Sequence, residues 1–272
     1  MVNADSMQLY RGMDVGTAKL TVAEQQGVPH HLLSVWPVSR TATAADYQAE
    51  CRATIDEVLG VGRTPVLVGG SGLYLRSALD RMEFPGTDPE LRAALEAELA
   101  EIGPGKLHGR LAALSPEAAA RMEPTNGRRI VRALEVVTLT GAMPGELTSY
   151  ESFYDTTWIG VDRPDLADRI ALRVDRMWEQ GLVEEVHGLA GLRKGVTASR
   201  ALGYAQVLGA LDGRWSLEQA RALTITATRR FARRQRAWFR RDPRVSWLDG
   251  AELSEPEQLD AAVGVHRRKV TG

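Results

Sequence analysis

The sequence predicts an α/β protein interrupted by an all-helical insertion. Three observations lead there. A helix, a short apolar strand and a glycine turn into a second helix follow one another between Ala42 and Asp80, the alternation expected of a parallel sheet. Strand pattern is then lost from Glu83 to Thr156. It returns in "TTWIGVD", which is followed by long amphipathic helices. The expected division is an α/β core of residues 1–84 and 150–272, with a helical insertion at 85–149.

Taken in order, Asp5 to Tyr10 reads as a strand end or loop entering a short helix. Gly12, Gly16 and Pro29 punctuate a long loop. In "ATAADYQAECRATIDEVLGVG", Ala45, Tyr47, Cys51, Ile55 and Val58 recur at helical spacing, and Gly60 ends the helix. Pro65 to Val68 is a continuous apolar run, expected of a strand buried on both faces. Gly69, Gly70 and Gly72 turn the chain into a helix beginning near Leu73. In the insertion, Thr87 or Asp88 can cap one helix. Ser115-Pro116 starts a second, proline being suited to the first helical position. Gly127 precedes a third, ending before Gly141. Beyond "TTWIGVD", a long helix from Arg163 breaks at Gly181, "TASRALGYAQVLGAL" is a loop entering a helix, and Ser216 to Asp242 spans roughly seven turns.

Composition narrows the class. The 272 residues are 44% apolar and 25% charged, ordinary globular material. The formal net charge of −1 gives no general attraction for nucleic acid, so only local charge can. A single cysteine, Cys51, excludes an internal disulfide and suits a reducing, cytoplasmic compartment. Asp5, Arg11 and Asp14 interrupt any signal-peptide core, and no apolar run approaches the ~18 residues of a membrane span.

Four stretches could carry chemistry. Asp5-Ser6-Met7-Gln8 has the form of a helix cap with Gln8 reaching back. It equally suits a general-base carboxylate at the carboxyl end of a sheet strand. "VLVGGSGLY" exposes backbone N–H groups at a helix N-terminus, which favours anionic oxygens, and Ser71 adds a hydroxyl; it is equally a plain structural turn. It is not a Gly-x4-Gly-Lys-Ser/Thr loop, and none occurs in the chain. Eight arginines lie between Arg229 and Arg244. Arg229, Arg233, Arg236 and Arg240 share one helical face, with Phe231 and Trp238 opposite. That face is either solvated or a track for phosphates. Arg128, Arg129 and Arg132 form a second basic cluster. Arg200, in a Thr/Ser-rich loop before a helix, is either a surface residue or a planar fork for phosphate oxygens. His30 and His31 lack partners at ligand spacing, so no metal site is expected of protein side chains.

In combination these stretches resemble the tRNA dimethylallyltransferases, or IPP transferase family. The matching pieces are "VNADSMQLYRGMDVGTAK", "VPHHLLSV", "PVLVGGSGLYLRSALD", "RRIVRALEV", "DRIALRVDRMWEQGLVEEV", "SRALGYAQV" and "RRFARRQRAWFRRD". They run from residue 2 to about residue 242. The resemblance implies a P-loop NTPase-like core with a helical insertion contacting tRNA. It implies transfer of a dimethylallyl group from its diphosphate to N6 of the adenosine 3′-adjacent to the anticodon. Asp5 would be the base. Gly69, Gly70, Ser71 and Arg200 would hold the diphosphate, with Mg²⁺ bound through it. Ser6, Met7, Gln8, Ser71, Arg92, Arg128, Arg129, Ile130, Val131 and Arg132 would join Asp5 and the basic helix (Arg233, Arg236, Arg240) against tRNA. A monomer binding the tRNA anticodon stem-loop and dimethylallyl diphosphate is expected, with no membrane partner.

The family places a strand and a Gly-x4-Gly-Lys-Ser/Thr loop upstream of "NADS". The expectation is therefore a chain lacking that segment, missing its first strand and poorly active as it stands. Leu20 also departs from the proline common after "GTAK". Two other classes compete: a P-loop nucleotide kinase, and a non-catalytic RNA-binding protein using the basic helix alone.

Overall fold

A computed structural model describes residues 1–141 and 149–271. The chain divides into two compact units, one of Met1–Arg81 with Ser152–Gly272 and one of Met82–Glu151.

The first unit opens with β1 (Val2–Asn3), crosses through helix α1 (Ala44–Gly60) and returns as β2 (Leu67–Val68). β1 and β2 pair in parallel, Val2 against Leu67 and Asn3 against Val68. Thr43 caps α1 by accepting from Asp46 N–H. Tyr47, Cys51 and Ile55 are buried as their spacing predicts, whereas Ala45 is exposed. Burial pushes the Cys51 thiol up to about 11, so it is an inert core residue. The strand expected to be buried on both faces is not. Leu67 packs on the core, but alternation along a strand sends Val66 and Val68 to the other side, where they are 51% and 48% exposed.

The short helix expected after Asp5 is also absent; Ser6 to Leu9 form turns. Tyr10 is drawn instead into a parallel bridge with Trp36. Arg11 N–H donates to Trp36 O at 2.9 Å, and Trp36 N–H to Leu9 O at 2.8 Å. Those long-range bonds fix the chain extended where a helix would continue. Helix α2 (Gly72–Leu79) follows the glycine turn.

The second unit is all helical in its described residues. α3 (Pro89–Leu114) is capped by Asp88, which accepts from Glu90 and Leu91 N–H groups. It is two helical pieces meeting at Gly103-Pro104, where the backbone leaves helical geometry. α4 (Pro116–Ala120) is capped by Ser115, and α5 (Gly127–Thr140) by Asn126. Leu95, Leu107, Leu111, Ile130 and Leu134 make its core.

Within that core lies one carboxylate, Glu135, with a fully buried side chain. Burial alone would raise its pKa. Hydrogen bonds from Arg92 and Arg132, with Asp88 N–H, hold it instead below the ordinary glutamate value. Its stabilisation is thus fully present above the unfolded value of about 4.3 and lost as pH falls through the lower folded value. Glu135→Gln is expected to blunt this acid dependence when helix content is followed by circular dichroism from neutral to acid pH. Identical acid profiles for the two proteins would refute it.

The chain rejoins the first unit through β3 (Trp158–Asp162), α6 (Leu166–Glu179) and α7 (Leu182–Gly188), the last two broken at Gly181. A 3-10 turn at Ala198–Arg200 leads to α8 (Tyr204–Leu211) and then α9 (Leu217–Phe239). Ser216 and Gln219 form a reciprocal capping box on α9. β4 (Val245–Asp249) pairs in parallel with β3 from Trp158–Val245 to Asp162–Asp249, and α10 (Glu255–Thr271) closes the unit. Neither β4 nor α10 was anticipated from sequence. No described helix is long and apolar enough to cross a membrane.

Candidate active site and nucleic-acid interface

Asp5 lies just beyond β1, at the strand end where open α/β sheets bind ligands. Its backbone is clamped by Asn3, which is buried. Asn3 Oδ1 accepts from Asp5 N–H at 2.9 Å, while Asn3 Nδ2 donates to Asp5 O and to Leu32 O, each at 3.0 Å. Tyr47 OH donates to Asn3 O at 2.9 Å. Asp5 Oδ1 accepts from Met7 N–H at 2.8 Å. Oδ2 has no partner among the described residues. The cap reading is therefore half met: the aspartate closes a local turn, but no helix follows. Gln8 does not reach back; its amide donates to Thr17 O.

The glycine turn after β2 meets this carboxylate's neighbours. Ala4 N–H donates to Val68 O at 2.8 Å, and a Cβ on Gly69 would overlap the Ala4 backbone. Only glycine allows that approach. Ser6 N–H lies 3.4 Å from Ser71 Oγ, and the two hydroxyls are 3.2 Å apart. Tertiary structure thus brings Ser71 to Ser6, the neighbour of Asp5 and 65 residues away in sequence. Ser71 occupies the cap position of α2 without using its side chain there, so its hydroxyl is not consumed by the helix.

The loop behind Asp5 is braced from the distant α7. Glu185 accepts from the N–H groups of Asp14 (2.9 Å), Val15 (2.7 Å) and Gly16 (3.2 Å), and from Tyr204 OH. Lys19, its side chain 6% exposed, donates to Tyr10 O, Asp14 Oδ1 and Ser34 Oγ. Asn3, Lys19, Glu185 and Tyr204 were not singled out from sequence. No local pattern marks them, because each depends on at least one partner distant in sequence: Leu32 and Tyr47 for Asn3, Ser34 for Lys19, and the Asp14–Gly16 loop for Glu185, which also takes Tyr204 OH.

Arg200 is exposed at the end of its 3-10 turn, between the buried Ala198 and Ala201. No hydrogen bond or ion pair among the described residues joins it to Asp5 or Ser71. The basic face of α9 is not simply solvated. Arg236 and Arg240 both grip Asp162 of β3, and Arg229 donates to Ala167 O. Burial favours the neutral Asp162, but the hydrogen bond from Arg236, then Arg163 N–H and Arg240, leave its pKa below the ordinary value. Arg233 is exposed, with no partner among the described residues. Phe231, expected on a covered apolar side, is 40% exposed, while Trp238 is partly covered.

In the helical unit, Arg128 and Arg129 are exposed on the first turn of α5. Ile130 and Val131 are corrected as RNA contacts: at 0% and 4% exposure their side chains are core. The amphipathic turn of α5 carries them inward as it carries the arginines outward. Arg92 and Arg132 are half-buried and pair with Glu135, and Arg132 also donates to Pro85 O and Gly86 O. Met7 packs against the core of the first unit.

Comparison with known proteins gives the family. Residues 8–242 match the family described as IPP transferase. The chain is 64% identical over 267 residues to the tRNA dimethylallyltransferase of Thermobifida fusca, covering 96% of this chain and 83% of that protein. It is 61% identical over 266 residues to that of a Parafrankia species, covering 95% and 84%. Among solved structures it is similar to the tRNA isopentenylpyrophosphate transferase of Bacillus halodurans, with a TM-score of 0.69, 35% identity, and coverage of 99% and 89%. A eukaryotic dimethylallyltransferase shares the fold, with a TM-score of 0.82 at 22% identity and coverage of 99% and 72%. On this evidence the chain belongs to the IPP transferase family.

Proposed function

We infer that the protein transfers a dimethylallyl group from its diphosphate to tRNA, at N6 of the adenosine 3′-adjacent to the anticodon. The relatives that match nearly the whole chain are named for dimethylallyl transfer to tRNA, which favours this over a nucleotide kinase or a purely RNA-binding protein. The observation that carries the chemistry is the meeting of Ala4 and Ser6, on either side of Asp5, with the glycine turn and Ser71.

In this reading N6 attacks the allylic carbon, the C–O bond to diphosphate breaks, and the N6 proton passes to Asp5. An exocyclic amine on an aromatic ring is a poor nucleophile, so a positioned carboxylate assists by taking the developing charge. Ser71 Oγ and the N–H groups at the start of α2, with Gly69 and Gly70 allowing close approach, receive charge growing on the leaving oxygens. Arg200 supplies a planar cationic fork to the same anion. Mg²⁺ would be carried by the diphosphate, with the Ser6 and Ser71 hydroxyls as the nearby oxygen donors; among the described residues no group of three metal-ligating side chains occurs. When bound, the ion would offset diphosphate charge. The parallel β1–β2 pair with its glycine turn supports a P-loop NTPase-like core. The target base must leave the anticodon stack to reach a carboxylate set into the fold. Transfer of labelled dimethylallyl groups to unmodified tRNA, with the modified base located by mass spectrometry, tests the reading. Label at another nucleotide would overturn it.

The exposed arginines supply the phosphate contacts. Arg128, Arg129 and Arg233 are free to do so, whereas Arg236 and Arg240 also anchor Asp162. Arg233→Gln is expected to weaken tRNA binding without lowering thermal stability. It should also reduce the log–log salt slope by about 0.7–0.9, the effect of one lost phosphate contact. A slope equal to that of the unsubstituted protein would remove Arg233 from the interface.

A further inference from the structure

We propose that Gln235, on α9, is a positioning residue that aims the Ser71 N–H at the diphosphate. The inference rests on the reading of the glycine turn given above. Gln235 Nε2 donates to Gly70 O at 2.8 Å. The carbonyl can only accept, so the amide nitrogen must face it. A peptide unit is planar and trans, which points the C=O of residue 70 and the N–H of residue 71 in opposite directions. Drawing the Gly70 carbonyl toward α9 therefore turns the Ser71 N–H away from α9. That N–H has no hydrogen-bond partner among the described residues. It belongs to the residue whose hydroxyl meets Ser6 beside Asp5.

Two further contacts fit the same role. A Cβ on Gly70 would collide with Gln235 Nε2, and one on Gly72 would collide with the Trp238 ring. The turn is thus shaped to receive α9 at both positions. Gln235 and Trp238 are three residues apart, on one side of the helix. Arg229, Arg236 and Arg240 lie roughly opposite, at ~100° per residue, and face β3 and α6. One helix thus holds the turn with one side and carries these three arginines on the other.

Glycines without a fixed partner are free to flip their peptides. Without the Gln235 bond, the Gly70–Ser71 peptide samples orientations that turn its N–H from the anion. Gln235→Met keeps length and helix propensity but removes the donor. Gln235→Glu keeps shape and sets a carboxylate against the carbonyl. Each should raise KM for dimethylallyl diphosphate about tenfold, a part of the ~10²–10³-fold that loss of a whole preorganised donor costs. The affinity for tRNA, by fluorescence anisotropy, and the melting temperature should stay within twofold and about 2 °C of the unsubstituted protein, as expected of a partly exposed side chain. Ser71→Ala separates the two levels of inference. If this variant, which keeps the N–H but loses the hydroxyl, and both Gln235 variants all leave KM for the diphosphate unchanged, the turn is not the diphosphate site and the underlying reading fails. If it raises KM while both Gln235 variants do not, the positioning role alone is wrong. Should both Gln235 variants melt early, Gln235→Asn, whose amide falls one methylene short of Gly70 O, supplies the same readout, and a normal diphosphate KM in that variant would overturn the proposal.

Discussion

Asp5→Ala is expected to lower turnover about 10²- to 10⁴-fold in an otherwise identical chain, the range for loss of a general base. Binding of tRNA should change far less. The expectation follows from how the carboxylate is held. Asn3 fixes the backbone on both sides of it, and Met7 N–H occupies Oδ1. Oδ2 is left for the substrate proton. The competing role is structural, since the same aspartate closes the turn that leads to Tyr10. Asp5→Asn separates them: the amide oxygen can still accept from Met7 N–H, but the side chain can no longer take a proton. A slow, normally melting Asp5→Asn protein would support the base. Normal turnover by Asp5→Asn, with early melting in Asp5→Ala, would reduce the residue to a turn former.

The largest effect on stability is expected at Asp80. Its side chain is 1% exposed and bonds Arg76 of α2, itself 3% exposed, at 2.5 Å. Arg244, at the start of β4's approach, reaches Asp80 Oδ1 at 2.7 Å and Asp242 Oδ2 at 2.7 Å. Two carboxylates and two guanidiniums thus balance in the interior. Burial opposes the charge on Arg244, but its hydrogen bonds to Asp242 and Asp80 leave its pKa raised. Asp80→Ala would leave the guanidiniums of Arg76 and Arg244 facing the single carboxylate of Asp242. Removing one partner of a buried ionic network costs about 3–5 kcal/mol, because the buried charges no longer balance. For a chain of this size that is a fall in melting temperature of roughly 10 °C. A loss below about 1 kcal/mol would show that water reaches Arg76, and that the network is not the bond between α2 and the end of α9 that its geometry describes.

Much of the architecture was legible along the chain. The helical spacing of Tyr47, Cys51 and Ile55, the Ser115-Pro116 start and the break at Gly181 are local signals with local causes, and each appears where expected. Elements whose existence depends on partners far away were not. β4 carries Val245, Trp247 and Leu248 in a short run that is a strand because β3 lies beside it. The run from Ser6 to Leu9 has a helix-start pattern, but long-range bonds between Tyr10, Arg11 and Trp36 override it. β2 is apolar as a fully buried strand would be, yet Val66 and Val68 stand half open. An apolar run records hydrophobicity, not which of its faces is covered.

The candidate site divides the same way. The residue types that can do the chemistry were marked by sequence alone: a carboxylate after a strand, a glycine turn with a serine, and arginines on one helical face. Tertiary structure decided how they are used. It brought Ser71 to Ser6, gave Asp5 its clamp in Asn3, and set Gln235 on the glycine turn. It also withdrew Ile130 and Val131 into a core and tied Arg236 and Arg240 to Asp162. The physical reason is range. Caps, turns and helical periodicity act over a few residues and can be read from the order of the chain. Hydrogen bonds and ion pairs between distant elements depend on where the fold places the second partner.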